Sequence, residues 1–371
     1  MKIANKNKII ALAIMMVIVA SSFMITGSVN SLGAYKLKVE NIDCFKNNNQ
    51  TVESVRTITD FSENRFEVYE LQPSGYAIFS CSNGASIFLE GSYQKKSPFY
   101  NYITEQIYYL GPGNYFYENE SDEIVDIMTN SICNRSIYST SYMIDEANYF
   151  IAVESKENSA EMRGTVTQSD FNVITNHNYF RTLSQFPDNK VGTCGLVALS
   201  ILLGYCDEYL STYFVPSGSY NGQPFKSGKG TTQALHDYLF DNCLHTVLGI
   251  GSDESGYPMA GYELRETMKD FLELKCAPIK DRVTHHYAAL IGVGSGARES
   301  LDAQRPVCLV MTSYNYTTSS ADGKWHVAVA YGYDANNRFL VHMGWYPGGT
   351  DYSEIIISEA TIHSFYTVSY N

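Results

Sequence analysis

Apolar residues run from Leu196 to Leu203 with a single polar interruption, Ser200. A helix that is apolar on nearly every side is buried on every side. The pattern predicts a central buried helix that opens at Gly192-Thr193-Cys194-Gly195. Two further helices follow. Thr231 to Leu244 starts on a threonine suited to cap it and carries Leu235, Tyr238 and Leu239 on one side. Tyr262 to Leu274 carries Leu264, Met268, Phe271 and Leu272. The period then shortens. Pro306 to Met311 is a short apolar strand, and Trp325 to Tyr333 alternates His326, Ala328 and Ala330 with Val327, Val329 and Tyr331. Asp334-Ala335-Asn336-Asn337 makes a turn, Arg338 to His342 returns, and Tyr352 to Ser358 adds a strand through Ile355, Ile356 and Ile357. A buried helix followed by consecutive antiparallel strands predicts an α+β domain over residues 171–371.

Upstream the pattern is of strands alone. Tyr76-Ala77-Ile78-Phe79-Ser80 and Ser86-Ile87-Phe88-Leu89 flank Ser82-Asn83-Gly84, a hairpin signal. Leu71-Gln72-Pro73-Ser74-Gly75 opens it, and an aromatic block from Tyr108 to Tyr117 carries its own turn at Gly111-Pro112-Gly113. Residues 35–165 therefore read as a small β-rich unit, with no histidine and no evident chemistry. A polar stretch from about 153 to 170 reads as its linker to the second unit. Ahead of both, Lys2, Lys6 and Lys8 precede the apolar run Ile9 to Ala20 and then small residues. This predicts a secretory signal peptide over residues 1–33 and a secreted protein. The run is shorter than the roughly 18–20 residues that span a bilayer, although Phe23, Met24 and Ile25 could lengthen it into an anchor. No other stretch is apolar enough to cross.

Charge and cysteine usage narrow the partners. The net charge is −13 and the body of the chain has no Lys/Arg cluster, so nucleic acid is not an expected partner. The eight cysteines, at 44, 81, 133, 194, 206, 243, 276 and 308, form no C-x-x-C pair and no zinc spacing with histidine. His285 and His286 are adjacent and point apart, so no metal or cofactor is expected. Gly249-Ile250-Gly251 and Gly292-Val293-Gly294-Ser295-Gly296 lack the spacing of a nucleotide loop and read as turns.

Cys194 falls at the first turn of the central helix. There the unpaired N–H groups and the helix dipole favour a thiolate, the form that attacks. The alternative is one more interior cysteine. Cysteine catalysis also needs a base, a group that orients it and donors for the oxyanion. His326, 132 residues on, is the candidate base. If Cys194 is a nucleophile, seven cysteines remain and cannot all pair, so few or no disulfides are expected.

Together, Gly192-Thr193-Cys194-Gly195, His326-Val327-Ala328-Val329-Ala330-Tyr331-Gly332-Tyr333-Asp334 and Val341-His342-Met343-Gly344-Trp345, with Gly348-Gly349 behind, resemble secreted bacterial papain-like cysteine peptidases of the streptopain-like group. Ser74-Gly75-Tyr76-Ala77-Ile78 and Tyr109-Leu110-Gly111-Pro112 are similar to segments of that group's pro-domains. The resemblance implies a papain-like fold, a central helix carrying Cys194 on an antiparallel sheet, preceded by a small β-rich pro-domain. It implies a zymogen whose own pro-domain is an intramolecular inhibitor and whose substrates are proteins or peptides. Cys194 would form a thioester, with His326 as general base and acid. That group has Asn or Asp about 16 residues after the histidine; here the position is His342. A neutral imidazole there can accept a hydrogen bond from His326. Asp334 and Asn336 are nearby alternatives, and a Cys194–His326 dyad is another. The oxyanion donors would be the Cys194 backbone N–H and a side-chain amide, Gln185 ahead of Asn189. Trp345 is expected over the histidines. Two other readings stay open: a cell-wall peptide amidase or transpeptidase using the same pair, and an inactive papain-like binding protein.

Overall fold

The computed structural model describes residues 42, 45–46, 49–82, 85–133, 171–189, 192–249, 251–252, 256–289, 292–311, 326–345 and 354–371. The expected signal segment, the polar linker, the hairpin positions Asn83 and Gly84, Trp325, and Gly348-Gly349 lie outside the described residues.

Strands β1 (Thr51–Thr59), β2 (Arg65–Gln72), β3 (Tyr76–Ser82) and β4 (Ala85–Ser92) form an antiparallel meander. In β2 the alternation of Phe66 and Val68 with more exposed neighbours sets which face is inward. A second meander holds β5 (Gln106–Tyr109), β6 (Tyr115–Glu118), β7 (Ile124–Asp126) and β8 (Ser131–Cys133). It joins the first by a parallel contact, Thr59 opposite Tyr108. Then come β9 (Asn172–Val173), α1 (Asn178–Thr182) and α2 (Cys194–Tyr209). Two short ribbons, β10 (Ser219–Tyr220) with β11 (Gln223–Pro224) and β12 (Lys226–Ser227) with β13 (Gly230–Thr231), lead to α3 (Gln233–Cys243) and α4 (Gly261–Lys275). The chain ends with β14 (Val283–Ala289), α5 (Val293–Asp302), β15 (Val307–Met311), β16 (His326–Tyr333), β17 (Arg338–His342), β18 (Ile355–Ser358) and β19 (Ile362–Tyr370).

Every residue of α2 from Cys194 through Asp207 is buried, as an apolar run requires. Both α2 and α5 pack on β16, which is buried from His326 through Gly332. Helix α5 stands where turn chemistry was expected at Gly292–Gly296. Val293, Ala297 and Leu301, spaced by four, bury one side of it, and that period outweighs its glycines.

The expected fold class, an α+β papain-like arrangement of helix and sheet behind a small β-rich pro-domain, is corrected by the sheet. Fifteen strands form one mixed sheet in the order β14-β19-β15-β16-β17-β18-β4-β3-β2-β1-β5-β6-β7-β8, with β9 beside β16. Five α-helices, of 5 to 16 residues, occur among the described residues. The pairing that overturns the expectation is β18 with β4: Ile356 lies opposite Gly91 and Ile357 opposite Glu90. Each of these strands would otherwise present a row of unpaired N–H and C=O groups, and each satisfies the other. Local periodicity shows which residues make a strand, but not which edges meet.

Candidate active site

Cys194 is the first residue of α2 and is 9 % exposed. The turn is closed by the Thr193 carbonyl, which accepts from the N–H of Leu196 at 2.9 Å and of Val197 at 3.2 Å. Thr193 occupies the N-cap position, but its side chain makes no cap hydrogen bond. The hydroxyl lies 2.8 Å from Nε2 of the buried His236. Nothing in the sequence pattern singled out His236, which sits on the face of α3 that an amphipathic helix turns inward.

His326 opens β16 and is 2 % exposed. Its Nε2 lies 2.8 Å from the Met343 carbonyl oxygen. A carbonyl only accepts, so Nε2 carries the proton and the neutral ring keeps its lone pair on Nδ1. Burial pushes the imidazole down to about 4, against a smaller upward pull from the Met343 carbonyl. Trp345 stacks on the ring, with centroids 5.2 Å apart and planes 12° from parallel.

The hydrogen bond that holds His326 thus comes from the backbone beside His342. The Nδ1 of His342 accepts the Gly344 N–H at 3.1 Å, so His342 braces the turn that presents the Met343 carbonyl. Its ring meets Phe186 edge-on at 4.9 Å. Asp334 is committed elsewhere: Oδ1 accepts from the N–H of Asn336 and of Arg338, each at 2.9 Å, and Oδ2 from Arg338 Nε at 2.8 Å. Gly344, at φ +73°, rests on the first turns of α2; a Cβ there would lie 3.1 Å from Val197 Cγ1. The Met343–Gly344 turn therefore touches both His326 and the helix that carries Cys194.

Gln185 is exposed and borders two cavities of about 430 and 420 Å³, shared with Ser184 and Ser227. Cys194 and His326 line neither. Asn189 carries a buried Oδ1 with no hydrogen-bond partner among the described residues. The segment between these amides is held at both ends, by Phe186 on His342 and by the Asp188 N–H on Gln233 Oε1 at 3.0 Å.

The N-terminal strands reach this site. The turn between β5 and β6 is closed by Asn114 N–H on the Gly111 carbonyl at 3.0 Å, and Gly113 has φ +84°. A Cβ on Gly113 would fall 2.4 Å from His326 Cγ and 2.9 Å from Nδ1. Bare backbone therefore lies against the imidazole, beside its basic nitrogen. The sequence of this unit carries no sign of the contact, because glycine has no side chain to mark it. The tyrosines flanking the turn are anchored below it. Tyr109 donates to Glu90 Oε2 at 3.3 Å, Tyr115 reaches both Glu90 oxygens at 3.0 Å, and Tyr76 donates to Oε1 at 3.0 Å.

The other described thiols differ in setting. Burial raises Cys81 to about 11 and Cys243 and Cys276 to about 12, and it pushes Cys206 and Cys308 higher still. No cluster of three His, Cys, Asp or Glu side chains suited to a metal occurs among the described residues.

No protein-family profile matches the chain, and no curated protein matches it by sequence. Among solved structures the chain is similar to a fragment of prointerpain A from Prevotella intermedia. The identity is 12 %, the match covers 85 % of this chain and 98 % of that one, and the TM-score is 0.30.

Proposed function

We propose that the protein is a cysteine-dependent peptidase in which Cys194 is the nucleophile and His326 the base. The observation that carries the reading is His326: a buried neutral imidazole with Nδ1 in the accepting form, because its Nε2–H is tied to the Met343 carbonyl, which lies on a turn that also touches α2. In the reaction Nδ1 takes the thiol proton and the sulfur attacks the peptide carbonyl carbon. The C–N bond breaks, the leaving amine takes the proton from the imidazolium, and a thioester remains. Water then cleaves the thioester with the same ring as base. The Cys194 N–H is the first oxyanion donor in this reading, and the amide of Gln185 or Asn189 the second. His342 acts one step back, through the Met343 carbonyl.

The same geometry supports a latent form. The chemistry requires an imidazolium, and a ring held near 4 by burial disfavours one. Gly113 against the ring contributes to that burial. Removal of the N-terminal strands would admit water, raise the imidazole toward its ordinary value and open the site to a peptide. In this reading the chain is exported through residues 1–33 and acts on protein or peptide substrates outside the cell.

The test is residue-resolved alkylation with iodoacetamide at neutral pH, together with intact mass over time. Cys194 is expected to react at least about tenfold faster than Cys81, Cys206, Cys243, Cys276 and Cys308, since only a thiolate reacts and the others are held as thiols. The wild type is expected to shorten itself from the N-terminal side, and Cys194→Ala to stay intact. A Cys194 no faster than Cys81, in a chain that never shortens and hydrolyses no peptide, would overturn the reading.

A further inference from the structure

Thr193 is the residue type that usually caps a helix, yet its side chain does not cap α2. Its backbone, at φ −93° and ψ 28°, is outside the extended region of an ordinary N-cap. The hydroxyl instead points to α3, where His236 is 4 % exposed. His236 is itself held. Its Nδ1 lies 3.0 Å from Asp237 Oδ1 and 3.0 Å from Gln233 Nε2, and Gln233 Nε2 donates to the same Asp237 oxygen at 2.8 Å. The carboxylate only accepts and the amide nitrogen only donates, so both compete for Nδ1, and either tautomer leaves Nε2 to bond the Thr193 hydroxyl. The Thr193 hydroxyl is thus engaged by His236 at 2.8 Å whichever group donates.

We propose that His236 is a positioning residue for Cys194. It holds the Thr193 hydroxyl off the end of α2 and so leaves the positive end of that helix to the Cys194 thiolate. The inference rests on Cys194 being the nucleophile proposed above. A capping hydroxyl accepts from the N–H groups of the first turn and draws down the partial charge that favours an anion there. Burying a histidine and tying it to a carboxylate is a costly way to hold one threonine, unless what matters is where that hydroxyl does not go.

The test is the pH dependence of Cys194 alkylation by iodoacetamide in the full chain, mapped at that residue. His236→Ala frees the hydroxyl to cap. The midpoint is expected to rise by about half a pH unit, read as roughly threefold slower alkylation below it. Adding Thr193→Val removes the hydroxyl at nearly constant volume, and the double variant is expected to return to the wild-type midpoint. A merely structural role for His236 predicts the reverse, a double variant no better than the single one. Should His236→Ala not fold, His236→Asn keeps an amide near Asp237 and is too short to reach Thr193, and the same rise is expected. A single-variant midpoint equal to wild type, or a rise that Thr193→Val fails to reverse, overturns the inference and leaves the peptidase reading standing. A wild-type midpoint near that of an ordinary thiol, about 8.5, overturns both.

Discussion

Raising the pH from 5 to 8 is expected to loosen the N-terminal strands, and Glu90 is the group responsible. Its side chain is fully buried on β4, at the pairing that joins β4 to β18, with the hydroxyls of Tyr76, Tyr109 and Tyr115 around it. Burial raises the carboxyl from its ordinary 4.5 to about 7, and the tyrosine donors only partly offset this. The folded protein therefore binds this proton more tightly than the unfolded chain does. The resulting stabilisation is full below pH 4.5 and is lost as the pH rises through 7. At about 1.4 kcal/mol per pH unit of difference, the loss is about 3 kcal/mol. The histidines act in the opposite sense. Burial lowers His285, His326 and His363 to about 4, so each costs stability as the pH falls below 6.5. The raw stability curve mixes both, and the readout is the difference between wild type and Glu90→Gln, which keeps an acceptor for the tyrosines and cannot ionise. Urea unfolding would be measured from pH 4.5 to 8 in a Cys194→Ala background, which removes the proposed nucleophile. Wild type is expected to lose about 3 kcal/mol relative to Glu90→Gln across that range. Parallel curves, or a difference of the opposite sign, would refute the assignment of a buried, proton-binding carboxyl.

Three further outcomes follow from contacts at and near the site. Gly113→Ala puts a Cβ 2.4 Å from His326 Cγ at φ +84°. The strain of about 1–2 kcal/mol, together with the clash, should lift the β5–β6 turn and speed Cys194 alkylation in the full chain; an unchanged rate would mean the turn does not cover the site. Trp345→Ala removes the ring stacked on His326 and lets in water, so the His326 imidazole should climb from about 4 toward 6.5 in an NMR titration of its ring protons; a fixed value would show that the stack does not exclude solvent. Asp334→Ala strands the buried Arg338, whose Nε it accepts at 2.8 Å, and should cost roughly 3–5 kcal/mol in urea unfolding, whereas an effect below 1 kcal/mol would mean the guanidinium reaches solvent.

Much of the chain's local structure is legible in its apolar spacing. The run Leu196 to Leu203 has no polar side to offer solvent, so α2 could only be interior, and it is. The two-residue period of Val327, Val329 and Tyr331, and the return through Arg338 to His342 after a turn rich in Asp and Asn, appear as β16 and β17. Where glycines competed with a four-residue apolar spacing, at Val293, Ala297 and Leu301, the spacing won, because burying one face outweighs the entropy that glycine costs a helix. The positions of Cys194 at a helix start and of His326 at a strand start are likewise legible in the spacing. Three features were decided by tertiary structure alone. Backbone hydrogen-bonding edges look the same whatever the side chains, so the pairing of β18 with β4 that makes one fifteen-stranded sheet left no trace in periodicity. The partner of His326 is a main-chain carbonyl, Met343, which every residue possesses and no sequence marks. The group lying against that ring is Gly113, whose contribution is the absence of a side chain. Composition and period reveal what a residue carries. Which backbone meets which depends on the closure of the whole chain.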